Sequence, residues 1–578
     1  MPDIFRALFS LNNTKIDHLH VWNSLINILP KDMFSKIKLD KLTIVDSSVG
    51  IIRKDAFSNV ENNLKELSLR NNIIKTIDEK IFLNLTSLKL LDLSGNKLSQ
   101  LKHVHFSKLV NLETLLLDYN QINSFDYDIF NSLTKLRTLS ISNNRLTKIT
   151  KDVFKNLQNL ESLNLQNNFI ESIDDDSFSY LLSLKHLDIS NNKIGKLKIA
   201  NLAKLETLFL SNNLIEQIED INLQNLSNLI TLHLENNKIS KISNEDFKFL
   251  KKSQKLYSLI LDGNNISWID CFAFEPIKTS LTILSLQKNK INSFSCSSTN
   301  DPLESKNNIY LDRSLFELLN SLQKLFLSYN NINSINEGDL NGLFSLQELI
   351  LDHNKIIKIS SKSFEEIKNL KKLFLNNNLL YYLPKGIFNN LNISNLISVD
   401  ISENKWECIC EQEWIGFWLS SIGQANTPSG TLGCLIGKCE NIQQQKQLII
   451  IKEEENQINL IYWIRLISFI LAISAILFLI IAGYVYVQEN RLIPLLQFSS
   501  SDTIQLIPSN KSKTTIFSFS NPLNKNSKEI FEEEEKDQNA YLPSLSIQSK
   551  AGKVVIAKEE ENNEIIKKEK KVVRFCEK

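Results

Sequence analysis

The chain has 578 residues, 42% of them hydrophobic, and its 66 lysines and arginines against 65 aspartates and glutamates leave a net charge of +1. That length admits a large core, and a balanced charge with no basic stripe argues against a nucleic-acid ligand. No G-x-x-x-x-G-K, H-E-x-x-H or G-x-G-x-x-G occurs and the scattered acids form no catalytic pair, so neither an enzyme nor a bound cofactor is expected.

The chain opens on Met1-Pro2-Asp3 without a basic, apolar leader and runs almost at once into repeat sequence. From Ile16 onward the pattern L-x-x-L-x-L-x-x-N-x-L returns about every 24 residues. Leu64, Leu67, Leu69, Asn72 and Ile74 make one copy; Leu88, Leu91, Leu93, Asn96 and Leu98 make the next. Sixteen copies begin between Ile16 and Leu396. In L-x-L the apolar and polar residues alternate, which is strand patterning with the leucines turned inward. One such strand cannot bury its apolar face alone. Stacked copies can, so the repeat predicts an α/β solenoid with a continuous core.

Two further columns follow the same period. The asparagine falls where the chain turns after the strand, and a buried amide there can satisfy backbone groups that no ladder reaches. It runs from Asn72 to Asn404, while the two earliest copies carry Ser24 and Ser47 and read as a weaker end. Eighteen residues after each copy's first leucine stands a phenylalanine in most copies, among them Phe34, Phe106, Phe154, Phe247 and Phe388. Rings at a fixed period fill a core, here as a spine on the convex side. The step from Leu184 to Leu205 is short. The step from Leu281 to Leu322 is long, and its polar stretch from Ser297 to Asn308 reads as a surface loop, with ligand binding the other use of such an insertion.

These motifs resemble the leucine-rich repeat family, and best its longer extracellular type with an x-x-x-F-x-x-L back. The resemblance covers about 390 residues. It implies a horseshoe whose parallel sheet lines the concave face, residues 1–404. Asn404-Lys405-Trp406-Glu407-Cys408-Ile409-Cys410, followed by Trp414 and Trp418-Leu419, is similar to the cysteine-rich C-terminal cap of that family, residues 405–445. The resemblance implies the pairs Cys408–Cys434 and Cys410–Cys439. Lys405 replaces the usual proline and Cys434 lies unusually close to Cys439, and four cysteines allow three pairings. No cysteine precedes Cys271, so the matching N-terminal cap is missing and the start of the protein is expected to lie upstream.

Cys271 and Cys296 occupy the same position in adjacent copies. Neighbouring coils stand about 5 Å apart, within disulfide reach, so a Cys271–Cys296 bridge is predicted at the base of the long insertion. After a linker at 446–465, Leu466–Val487 is 22 residues without a charge. At about 1.5 Å per residue it is long enough to cross a bilayer as a helix. Trp463, Tyr484 and Tyr486 flank it as interfacial anchors. Residues 488–578 are polar, with Glu532–Glu535 and Lys567–Lys571 as charge runs, and read as a disordered cytoplasmic tail. Pairing six cysteines before the segment and leaving Cys576 beyond it fits an oxidising and a reducing side. Sequons for glycosylation begin at Asn12, Asn84, Asn225, Asn265 and Asn392. Lys571-Val572-Val573-Arg574-Phe575 is similar to the docking sequence read by protein phosphatase 1, with Lys571, Val573 and Phe575 as its contacts. The His18/His20 and His103/His105 pairs have no further Cys or His at metal spacing, so no metal is expected.

The outward residue between the second and third leucines is mostly polar early in the chain: Ser68, Asp92, Leu116, Ser140, Asn164 and Asp188. It then turns apolar at Phe209, Ile260, Phe326, Ile350 and Phe374, interrupted by His233 and Ser285. Large apolar residues facing water in a line mark a partner site, with Asp262, Asp352 and Tyr329 beside them. The expected protein is a single-pass plasma-membrane protein with extracellular repeats that bind a protein ligand or a neighbouring cell-surface protein for adhesion or recognition. Two alternatives are a receptor or co-receptor of Toll-like type without its own signalling domain, and a structural or matrix-organising protein. Deleting the tail separates them, because adhesion and matrix roles survive that loss and signalling does not.

Overall fold

In the computed structural model of the chain, every copy of the repeat contributes a short strand whose central residue points into the core. The structure describes residues 2–11, 14–199, 201–296, 314–407, 413–422 and 425–426, together with 549–550, 553–554 and 572–576. Glu66–Ser68, Leu90–Asp92 and Thr114–Leu116 are typical strands, each with a buried leucine between two residues that face outward. They pair in parallel and in register, so that Leu67, Leu91, Leu115 and Leu139 stand directly opposite one another. The column continues through Leu325, Leu349 and Leu373 to Val399. Of the 18 strands of this sheet, all but Ala425–Asn426 and Val572–Cys576 belong to the sixteen repeats.

The asparagine column ties each coil to the one before it. The buried Asn120 side chain donates from Nδ2 to Leu93 O at 3.0 Å and Leu117 O at 3.1 Å, while its Oδ1 accepts from Leu98 N at 3.0 Å. The residue just before this asparagine takes a left-handed backbone in copy after copy, at Asn71, Asn143 and Asn167 for example. Asparagine tolerates that region and glycine is free in it. At Gly263 a Cβ would also lie 2.1 Å from Asn236 Oδ1. Ser47 does less than an asparagine: its Oγ accepts from Ser24 N at 3.2 Å and donates to Val45 O at 2.7 Å.

The phenylalanines stack as a spine. Phe106, Phe130, Phe154 and Phe178 are buried, with neighbouring ring centroids 6.1–6.4 Å apart. Leu202 and Leu223 take the place of rings around the short step. The long step leaves the sheet undisturbed, since Ile283 and Lys324 pair directly. Ser295 bridges Ser314, so the ends of the insertion meet, and residues 297–313 lie outside the described residues. Phe316 restores the spine there, stacked on Phe274 at 6.3 Å. It stands 35 residues after Leu281 because the insertion displaces it from the regular spacing.

Cys271 and Cys296 form a disulfide with Cα atoms 5.0 Å apart. It closes a 25-residue loop, which in the chain-entropy account contributes about 2–4 kcal/mol. Replacing both cysteines with serine should lower the urea midpoint accordingly, and an unchanged midpoint would remove the bridge from the list of stabilising contacts.

One coil earlier, Asp246 is buried and accepts a backbone bond from Ser243 N at 2.6 Å. Burial pushes its carboxyl up to about 6 against the pull of that bond, with Glu219 and Asp270 adding repulsion. The folded state therefore holds this proton better than the unfolded chain does. The resulting stability is full below pH 4 and is lost as the pH rises through 6. Asp246→Asn keeps an acceptor for Ser243 N and abolishes the titration. It should raise stability by about 1–3 kcal/mol at pH 7.5 and leave it almost unchanged at pH 4. Thermal melts at the two pH values check this, and equal effects at both would refute it.

One end of the array differs from the sequence expectation. The N-terminal end is not bare: Pro2–Ser10 is a helix whose Leu8 is buried against the core. Its apolar residues recur at helical spacing but lack the repeat's phase, so the repeat pattern does not announce it. At the other end the helix Glu413–Ser420 buries Ile415 and Leu419 and stacks Trp418 on Phe388 at 4.0 Å, covering the last coil. Ala425–Asn426 then adds to the sheet beside Ser398–Asp400. Cys408, Cys410, Cys434 and Cys439 lie outside the described residues, as does Leu466–Val487. Among the described residues no helix is long and apolar enough to cross a membrane. The tail, expected to lack regular structure, contains a short antiparallel pair, Ser549–Lys550 with Lys553–Val554. It also contains a strand, Val572–Cys576, that runs parallel to Thr14–Trp22. The physical reason for the latter is an open sheet edge meeting a β-branched segment.

Candidate protein-recognition face

The outward residues of the sheet strands form columns because register is kept from coil to coil. Phe209 lies opposite His233, His233 opposite Ile260, and Ile260 opposite Ser285. Beyond Ser285, Phe326, Ile350 and Phe374 are directly adjacent. All five apolar residues are half-buried, walled by neighbours yet open outward. The structure thus brings Phe326, Ile350 and Phe374 into one contiguous stripe. Phe209 and Ile260 remain separate, each next to His233, whose ring lies 4.6 Å from that of Phe209.

Tyr329, Asp262 and Asp352 border this stripe. Tyr329 is 49% exposed and has a left-handed backbone, φ 57°, as do Lys288 and His353 in the coils on either side. That backbone belongs to the turn after every repeat strand, as at Tyr119 and Glu403, and here it presents larger side chains than the usual asparagine. The Tyr329 and His353 rings stack at 4.1 Å, and Lys288 Nζ lies 6.0 Å from the tyrosine ring. His353 Nδ1 is 2.7 Å from Asp352 Oδ2, and Ser328 Oγ donates to the other oxygen of that carboxylate. Asp262 accepts from Ser285 Oγ at 2.6 Å and Gln287 N at 2.8 Å. Burial still pushes its carboxyl above the ordinary range, helped by nearby Glu235. Burial also opposes ionisation of Glu235, but bonds from His233 and Ser211 outweigh it and hold that carboxyl low.

His233, Glu235 and Lys288 are members of the face that the apolar count overlooked. The signal was available one and two positions from residues already singled out, but only register shows that they touch. Among the described residues no group of three or more His, Cys, Asp or Glu is placed to hold a metal ion. The sequon residues Asn84, Asn225, Asn265 and Asn392 are exposed, and Asn12 lies outside the described residues. Of the phosphatase-like motif, Val573 and Phe575 sit in the added strand and Lys571 lies outside the described residues.

A family model described as leucine rich repeat matches residues 62–122, 123–197, 203–257 and 305–356. Among curated proteins, P-granule-associated novel protein 1 of Caenorhabditis elegans is 33% identical over 249 residues, 40% of this chain. The chain spans only 37% of that relative's length. Among solved structures, a leucine-rich repeat protein of Leptospira interrogans superposes with a TM-score of 0.55 at 25% identity, over 73% of this chain and 98% of that one. Toll from Drosophila, solved in its complex with Spatzle, gives a TM-score of 0.42 at 20% identity, over 71% of this chain and 65% of that one.

Proposed function

For a chain that is a leucine-rich repeat protein, we propose a role in recognition, with a protein partner held on the outward face of the sheet between Phe209 and Phe374. The observation that carries this is the stripe Phe326–Ile350–Phe374 on an unpartnered sheet face. Aromatic side chains half-sunk in a rigid surface lose little entropy on binding and make effective anchors. The array positions them without needing to move.

The wider reading is a cell-surface protein with the repeats outside. The uncharged stretch Leu466–Val487, the Cys271–Cys296 disulfide and the exposed sequons support it. The strand Val572–Cys576 stands against it, because one crossing at 466–487 puts that strand and Thr14–Trp22 on opposite sides. Magnitudes favour the crossing. Five residues of strand add a handful of bonds worth about 0.5–1.5 kcal/mol each. Burying each large apolar side chain of the stretch is worth about 1.5–3 kcal/mol. Adhesion or recognition between cells then follows as the role.

Screening the full chain in cell membranes against a panel of cell-surface proteins tests the recognition role. A specific protein partner is expected, and binding confined to nucleic acid or to small metabolites would refute it. Protease treatment of intact cells tests sidedness. Digestion of the repeats with protection of a C-terminal tag is expected, and protection or digestion of both together would overturn the topology.

A further inference from the structure

Carboxylates surround the apolar stripe, and no lysine or arginine answers them. Asp188 lies opposite Phe209 at one end of the column, and Asp400 lies opposite Phe374 at the other. Glu235, Asp262 and Asp352 run alongside, two residues further on in their copies. Each of the five is bonded by a serine hydroxyl: Ser190 Oγ donates to Asp188 and Ser402 Oγ to Asp400, both at 2.6 Å. Ser211, Ser285 and Ser328 do the same for Glu235, Asp262 and Asp352. No lysine or arginine occupies either of these two outward columns from Asp188 to Ser402. Among the described residues no lysine or arginine forms an ion pair with any of the five, while His233 Nδ1 lies 2.7 Å from Glu235 and His353 Nδ1 2.7 Å from Asp352. Lys324 and Lys372, on the same strands, are both engaged by Glu348, at 3.0 and 3.5 Å.

Asp92 and Asp118, in the same columns of early coils, are likewise bonded by serines, whereas acids off this face meet cations directly. On the flank of the early coils, Glu161 meets both Arg137 and Lys185, and Lys89 meets Glu113 at 2.8 Å. The whole chain is nearly neutral, so the sheet face carries a local excess of negative charge that is balanced away from it. Serine hydroxyls orient these carboxylates and leave their charge in place. Such a surface attracts positive partners and repels negative ones.

We infer that the partner bound by this face is a basic protein segment with an apolar interior and lysine or arginine at both ends. The inference rests on the sheet face being the recognition surface. Neighbouring strands stand about 4.8 Å apart, so the eight steps from Asp188 to Asp400 span roughly 38 Å. An extended chain covers that in about 12 residues at 3.3 Å each. Apolar side chains in the half of the segment nearer Asp400 meet Phe326, Ile350 and Phe374, and its basic ends meet Asp188 and Asp400.

The test uses the full chain and three labelled probes. One is a twelve-residue peptide with an apolar interior and basic ends, the second is the same peptide with acidic ends, and the third is polylysine. Binding is read by fluorescence anisotropy. The basic-ended peptide should bind at least about tenfold tighter than the acidic one and weaken about tenfold between 0.05 and 0.5 M salt. A variant with Asp188, Asp262, Asp352 and Asp400 all changed to Asn keeps the acceptors for the serines and should lose about tenfold in affinity, with an unchanged melting temperature. Equal binding of the two peptides, or no change in the four-Asn variant while Phe326→Glu abolishes binding, would overturn the basic partner and leave the apolar face standing. Polylysine binding as well as the basic-ended peptide, or neither peptide binding, would overturn both.

Discussion

Replacing Asn144 with alanine should destabilise the array by about 2–6 kcal/mol. Its Nδ2 donates to Leu117 O at 2.9 Å and Ile141 O at 3.2 Å, and its Oδ1 accepts from Ile122 N at 3.0 Å. All of these bonds are buried; Leu117 O keeps Asn120 Nδ2 and Ile141 O keeps Asn168 Nδ2, so alanine removes two bonds and leaves one N–H, that of Ile122, without a partner or water. An orphaned buried group costs about 1–3 kcal/mol, and a whole domain is stable by only about 5–15 kcal/mol. Each coil contacts only its neighbours, so the loss should be local. Hydrogen exchange should rise in the coils around Leu117–Leu165 before it rises at either end. Asn159 supplies the contrast: its Nδ2 also bonds a carbonyl, Thr134 O at 2.8 Å, but exposed to water. Asn159→Ala should cost under about 1 kcal/mol. Equal urea midpoints for the two variants would refute the ladder as a source of stability.

The parts of this fold that repeat were legible, because a fixed period writes the same physical demand many times. Leu67 and Leu91 share a phase and share a column in the sheet. Cys271 and Cys296 share a phase and share a disulfide. What breaks the period was hidden. Phe316 reaches the spine out of phase because an insertion precedes it. The helix Pro2–Ser10 covers the first coil with residues that belong to no copy. Val572–Cys576 reaches the edge strand from more than 500 residues away, a distance across which no local pattern speaks. The recognition face was half legible. Its apolar column follows from counting, but the serines beneath Glu235, Asp262 and Asp352 appear only when coils are stacked: Ser328 and Asp352 are 24 residues apart in sequence and bonded in space.

Changing both Phe326 and Phe374 to glutamate should abolish partner binding while the array stays folded. The two rings are half-buried anchors on either side of Ile350, and the core leucines beneath them, Leu325 and Leu373, are untouched. Anchors of this type are worth about 2 kcal/mol or more each, so the pair should cost roughly a thousandfold in affinity. Added negative charge beside Asp352 deepens the loss for a basic partner. Leu116 is the control. It faces outward from the equivalent position in an early coil, between Asp92 and Ser140, with no apolar neighbour in its column. Leu116→Glu should leave affinity unchanged. If it weakens binding as much as the double change does, the outward apolar residues act without regard to place and the stripe is no site.

Hydroxyl-radical footprinting of the full chain, alone and with its selected protein partner, reads the face directly, because it reports side chains and not backbone. Recognition on the sheet predicts protection of Phe326, Tyr329, Ile350 and Phe374, with Phe169, Phe249 and Phe272, all exposed in the free chain, as reactive as before. Protection of those three, with Phe326 and Phe374 unchanged, would contradict it.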